Sequence, residues 1–130
     1  MKYLLAIYGD ESGQADVAPD QAAASMQRWG EYTQKITDSG AFLAGEGLSP
    51  SATATTLRIS PAGEQVVTDG PFAETKEQLG GFYLLDCKDL DEALEWARQL
   101  PVDQGAVEIR PVMNYEATGY ERPGEAEVSS

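Results

Sequence analysis

Histidine is absent from this chain. That removes the commonest general base near neutral pH and the commonest metal ligand. Histidine-ligated zinc, proximal-histidine haem and histidine-containing triads are excluded with it. Cysteine occurs once, at Cys87, so one chain can form no internal disulfide, thiolate zinc site or iron–sulfur cluster. The available metal ligands are oxygens, which suit Mg or Ca at best, and neither a transition metal nor a cofactor is expected. Long apolar runs are also missing: nothing approaches the ~20 residues of a membrane span. The first apolar run, Tyr3 to Tyr8, is shorter than a signal-peptide core. With the single thiol, it leads to the expectation of a cytoplasmic protein.

Basic residues are scarce. Nine Lys and Arg stand against 22 Asp and Glu, a formal net charge of −13. Such a surface repels nucleic-acid phosphates and anionic lipid, so neither nucleic acid nor a membrane is expected as a partner. Residues 116–130 hold four acids and one Arg, which leaves −10 on residues 1–115; the acidity belongs to the domain. The chain length fits one domain, and the expected organisation is an α+β domain over 1–115 followed by a flexible acidic tail over 116–130.

What is present reads in order. Residues 2–8 are apolar or aromatic on both alternating sets, which predicts a first strand covered on both faces. Pro19 and Asp20 mark a helix start; Ala22, Met26, Trp29, Thr33 and Ile36 recur at helical spacing, and Gly40 ends the helix. A strand follows over 41–48. Thr55–Ser60 and Gln65–Thr68, joined by Pro61-Ala62-Gly63-Glu64, predict a hairpin. Asp69-Gly70-Pro71-Phe72 is turn chemistry, and a polar segment runs on to Gln78. Gly80-Gly81 opens a strand over 82–86. Asp89 and Glu92 have capping-box spacing before the stripe Leu90, Ala93, Leu94, Ala97 and Leu100, and Pro101 ends that helix. Ala106–Val112 is the last strand. Without the hairpin the order is βαββαβ, the ferredoxin-like plan: one antiparallel sheet with two helices on one face.

Two helices cover only one sheet face. With Tyr3, Leu5, Ile7, Val107 and Ile109 toward the helices, the other face carries Leu4, Ala6, Tyr8, Glu108, Arg110 and Val112. Phe42, Glu46, Tyr83 and Leu85 are placed on that same face, an assignment that a single bulge would invert. Such a surface suits pairing with a second copy, whose sheet would bury the apolar part. A homodimer of the dimeric α/β-barrel type is therefore expected, with its polar and tyrosine part lining a small-molecule cavity between subunits.

The run Thr68-Asp69-Gly70-Pro71-Phe72-Ala73-Glu74-Thr75-Lys76-Glu77-Gln78-Leu79-Gly80-Gly81-Phe82-Tyr83 resembles the signature of the DGPF branch of the YCII-related proteins. Met1-Lys2-Tyr3-Leu4 with Tyr8-Gly9-Asp10, Gly45-Glu46-Gly47-Leu48, Ala52-Thr53-Ala54-Thr55-Thr56 and Arg110-Pro111-Val112 are similar to that family too. The resemblance spans about residues 1–113. It implies a ferredoxin-like fold that dimerises through sheet faces, and a genomic setting beside extracytoplasmic-function sigma factors. The enzymatic activity suspected of the wider family centres on a His–Asp pair, and this chain has no His to complete it.

The candidate pocket residues are Tyr8, Glu46, Asp69, Lys76, Tyr83 and Arg110. Asp69 either bonds nearby turn amides or stands as a carboxylate at a cavity rim. Lys76, among Glu74 and Glu77, stays protonated and suits an anion better than a base's role. Glu46 and Arg110 either pair as buried ions or leave the guanidinium for a ligand carboxylate. Tyr8 and Tyr83 either pack or present a hydroxyl. Three functions stay open: a small-molecule-binding module, a cofactor-independent enzyme using carboxylate and tyrosine acid–base chemistry, and a ligand-free interaction subunit.

Overall fold

The structure is a computed structural model that describes residues 1–12 and 17–123. Its elements are β1 (Lys2–Asp10), α1 (Pro19–Ser39), β2 (Phe42–Gly47), β3 (Thr55–Ile59), β4 (Gln65–Asp69), β5 (Glu77–Asp86), α2 (Leu90–Arg98) and β6 (Ala106–Pro111). Short 3-10 turns occupy Ser51–Thr53 and Glu116–Thr118. Four strands form one antiparallel sheet in the order β2-β5-β1-β6, and β3 pairs with β4 as a separate hairpin. This is the ferredoxin-like arrangement with a hairpin inserted between its second and third strands. The turn at Glu116–Thr118 lies inside the stretch expected to be a flexible tail, and residues 124–130 of that stretch fall outside the described residues.

Local signals explain the helix ends. Pro19 occupies the first turn of α1, and Gly40 closes it in the left-handed conformation with φ 86°. Asp89 caps α2 by accepting the Glu92 amide at 2.9 Å, while the Glu92 carboxylate accepts the Lys88 amide at 3.1 Å. The first bond satisfies an amide that the first helical turn leaves free, and the second ties down the residue before the cap.

Tyr3, Leu5, Tyr83 and Leu85 from the sheet meet Tyr32 and Ile36 of α1 and Ala93 of α2 in one buried cluster. Leu5, Ile36 and Leu85 are fully enclosed. The Tyr32 hydroxyl donates to the Trp96 carbonyl at 2.8 Å, which ties α1 to α2 through the core. Burial, then the neighbouring Tyr83 and Cys87, hold the Tyr32 phenol well above its ordinary value.

Two expected face assignments are corrected. Tyr83 pairs with Leu5 and Leu85 with Tyr3, so both lie under the helices. Both alternating sets of β5 are apolar, and alternation alone did not fix its phase. Phe42 is the second correction. It pairs with Leu85 on the helix-covered face, whereas Ala44 pairs with Leu84 on the other. The bulge between Phe42 and Ala44 adds a residue, so Phe42 and Glu46 leave β2 on opposite faces despite their even spacing.

The helix-free face is therefore read in cross-strand rows. Ala44, Leu84, Leu4 and Arg110 form one row, and Glu46, Phe82, Ala6 and Glu108 the next. A second register shift lets Tyr8 pair with Leu79, which skips Gly80. Strand β5 begins at Glu77, several residues before the expected start, because Glu77 and Gln78 extend the pairing to Asp10 and Gly9.

Candidate functional site

The glycines of three strand ends gather at one end of the sheet. Gly45 and Gly47 end β2, Gly80 and Gly81 lie in the first half of β5, and Gly9 lies near the end of β1. Where a strand would normally raise side chains against the covering helix, these positions leave bare backbone. Glycine inside a strand commonly marks such a close approach. The result is a cleft of about 780 Å³ between this floor and Ser25, Met26, Trp29 and Thr33 of α1. That volume lies in the range typical of small-molecule sites, ~300–1,000 Å³.

Two glycines are required by space. A Cβ on Gly45 would stand 2.9 Å from Tyr83 Cδ1, and one on Gly81 would stand 2.9 Å from the Glu46 carbonyl oxygen. Gly47 differs: a Cβ there meets nothing within 4 Å, so its side-chain space is empty.

Tyr83 forms the inner wall. Its hydroxyl shares a 2.6 Å hydrogen bond with Thr33 Oγ1. Its ring lies nearly parallel to Trp29 at 6.3 Å between centroids, and meets Tyr32 and Phe42 edge-on at 5.4 and 6.0 Å. The ring is thus held on every side by α1 and β2, as a preorganised wall requires. Val102, Asp103 and Gln104 close one flank. Arg28 of α1 pairs with Asp103 there, Nη2 to Oδ1 at 3.2 Å. On another flank the Glu11 carboxylate accepts the Ser51 amide at 3.0 Å and also the Ser51 hydroxyl, joining the end of β1 to the turn after β2.

The six candidate residues do not converge. Tyr8, Glu46 and Tyr83 contribute to the cleft, with Tyr83 on its wall. Asp69, Lys76 and Arg110 lie outside its lining. Glu46 and Arg110 sit on β2 and β6, the opposite edges of the sheet, three strand spacings or about 14 Å apart. No Glu46–Arg110 pair forms within the chain; Arg110 Nε instead bonds exposed Glu108 Oε1 at 3.1 Å. Asp69 is exposed at the end of β4, and the turn after it is held by other groups. The Gly70 amide donates to the Ala54 carbonyl at 2.7 Å, and Thr56 Oγ1 donates to the Gly70 carbonyl at 2.7 Å. Lys76 acts on Asp10, whose carboxyl is held below its ordinary value first by the Ser12 amide and hydroxyl and then by that ammonium.

Trp29 and Thr33 read in the sequence as part of the helix's buried stripe, and the glycine floor is not singled out there. Trp29 fits a helix's core stripe equally well. The glycines did carry a signal: Gly45-x-Gly47 and Gly80-Gly81 interrupt strands that otherwise read as apolar. Among the described residues, no group of three or more Cys, Asp or Glu is placed to hold a metal ion, and no helix is long and apolar enough to cross a membrane.

Known proteins share this chain's pattern along nearly its whole length. It is 41% identical over 128 residues to an uncharacterized protein of Rhizobium meliloti (strain 1021), a match covering 96% of this chain and 98% of that one. The family model for the YCII-related domain matches residues 1–116, which takes in every strand, both helices, the hairpin and the whole cleft. The chain belongs to the YCII-related family.

Proposed function

We propose that this protein binds a small organic molecule in the cleft between α1 and the glycine-floored end of the sheet. The observation that carries the reading is the empty volume itself. About 780 Å³ lies, open on one side, between an aromatic wall fixed from several sides and a floor of glycine backbone. Flat backbone below and Trp29 and Tyr83 beside it suit a planar, largely apolar body. The test uses N-phenyl-1-naphthylamine, a neutral aromatic probe that brightens in apolar sites. Wild-type protein binds it saturably. Gly47→Leu fills the floor from a position where an added Cβ meets nothing within 4 Å, and binding is lost while the circular dichroism spectrum is unchanged. Undiminished binding by that variant removes the cleft as the site.

We also propose that the helix-free face pairs with a second copy, giving a homodimer of the dimeric α/β-barrel type. Leu4, Leu84, Phe82 and Leu79 run along the two central strands with part of their surface open, between charged residues at the sheet edges. An apolar stripe rimmed by charge is what a self-complementary two-fold interface requires. Arg110 of one subunit and Glu46 of the other would then lie on facing surfaces, which offers Glu46 a cation that the single chain does not place beside it.

A further inference from the structure

We infer that the ligand of this cleft is an organic cation with a flat apolar body, of the arylalkylamine class; the inference rests on the cleft being the binding site. The cavity and its aromatic wall define where a ligand sits, and the charges around it select which kind. Four carboxylates, Asp10, Glu11, Glu46 and Asp103, contribute to the lining, and no Lys or Arg does. Two of the four are offset by neighbours outside the lining. Arg28 pairs with Asp103, and Lys76 acts on Asp10. Glu11 is held by neutral Ser51 donors, which orient its charge without cancelling it. Glu46 also contributes to the lining, but its side chain stands in a row of the helix-free face, so its charge is not counted here. The local balance therefore stays negative after every close cation is counted.

An anionic ligand would find no cation in the wall to pair with, and would lie near the uncompensated Glu11 carboxylate. A cation gains from it. The ammonium group belongs at the mouth, near the carboxylates, with the apolar body inward against the bare floor.

The experiment uses the Trp96→Phe protein, in which Trp29 is the only indole left. Its emission is titrated with 2-phenylethylammonium, 2-phenylethanol and 3-phenylpropionate, which share one aromatic body and differ in charge. At low salt the cation binds about tenfold or more tighter than the carboxylate, with the alcohol between them. Raising salt to about 0.3 M narrows the ratio, because charges at an open mouth are screened. Glu11→Gln, which removes the charge and keeps an acceptor for Ser51, narrows it as well. Equal affinities, or tighter binding of the carboxylate, overturn the inference and leave the cleft as a binding site for neutral or anionic bodies. A ratio unmoved by both salt and Glu11→Gln also overturns it. No response of Trp29 to any of the three overturns the cleft reading itself.

Discussion

Replacing Gly45 by alanine adds one methyl group against the most constrained side chain of the site. The new carbon would stand 2.9 Å from Tyr83 Cδ1, 3.1 Å from Cε1 and 3.2 Å from the Phe82 carbonyl oxygen. Comfortable carbon–carbon contacts are ~3.5–4.0 Å, so something must retreat by about half an ångström. Tyr83 cannot retreat freely, because Thr33 holds its hydroxyl while Trp29, Tyr32 and Phe42 surround its ring. Overpacking of this kind costs about 1–3 kcal/mol. Replacing glycine also removes freedom from the unfolded chain, which returns about 0.4–1 kcal/mol. Gly45→Ala should therefore lose about 1–2 kcal/mol net. Gly47→Ala is the internal control: its methyl group meets nothing within 4 Å, so only the favourable term remains. Urea unfolding followed by tryptophan emission measures both free energies, and thermal unfolding gives the Tm of each. The Tm of Gly45→Ala should fall by roughly 3–10 °C, and that of Gly47→Ala should hold or rise slightly. Equal stability of the two variants would refute the fixed wall and the open floor together.

Ile36→Ala empties a fully enclosed position where α1 meets the sheet, and should lose about 2–5 kcal/mol by the same urea assay. Cys87 gives a pH dependence. Burial, reinforced by the negative charges of Glu92, Asp86 and Asp89, pushes its thiol from 9.0 up to about 11. The folded chain keeps a proton that the unfolded chain releases, so this contribution is intact below pH 9.0 and is lost as pH rises toward about 11. Cys87→Ala should flatten the decline of stability across that window, and unchanged slopes would contradict the burial argument. For the dimer, light scattering at micromolar concentration should give twice the 14.0 kDa chain mass. Phe82→Lys, placing a charge in the middle of the helix-free face, should give the single-chain mass; a wild-type monomer would defeat the proposed pairing.

The fold was legible because it depends on patterns that survive small errors. Pro19, Gly40 and Asp89 punctuate the helices by local chemistry, and the βαββαβ order needs only the sequence of elements. The site was less legible because it depends on phase. One extra residue at Leu43 separates Phe42 from Glu46, and the doubly apolar β5 leaves the side of Tyr83 to be set by pairing with Leu5. Distance across the sheet was equally hidden. Glu46 and Arg110 belong to the second and last strands of the core, and only the order β2-β5-β1-β6 reveals that they occupy opposite edges. The motif around Asp69 is conspicuous in sequence because turns demand special residues. The cleft is made by side chains that are missing, and a missing side chain is easily read as a turn signal.

Ligand is expected to enter beneath α1 rather than against the helix-free face. An amide and indole N–H correlation spectrum of labelled protein, titrated with 2-phenylethanol, separates these directly, since the neutral probe binds in the cleft whatever its charge preference. The expected shifts fall at the Trp29 indole and at the amides of Gly45, Gly47, Gly80 and Gly81, with Leu4, Leu84 and Arg110 unmoved. Shifts confined to Leu4, Leu84 and Arg110, or none anywhere, would contradict entry beneath α1.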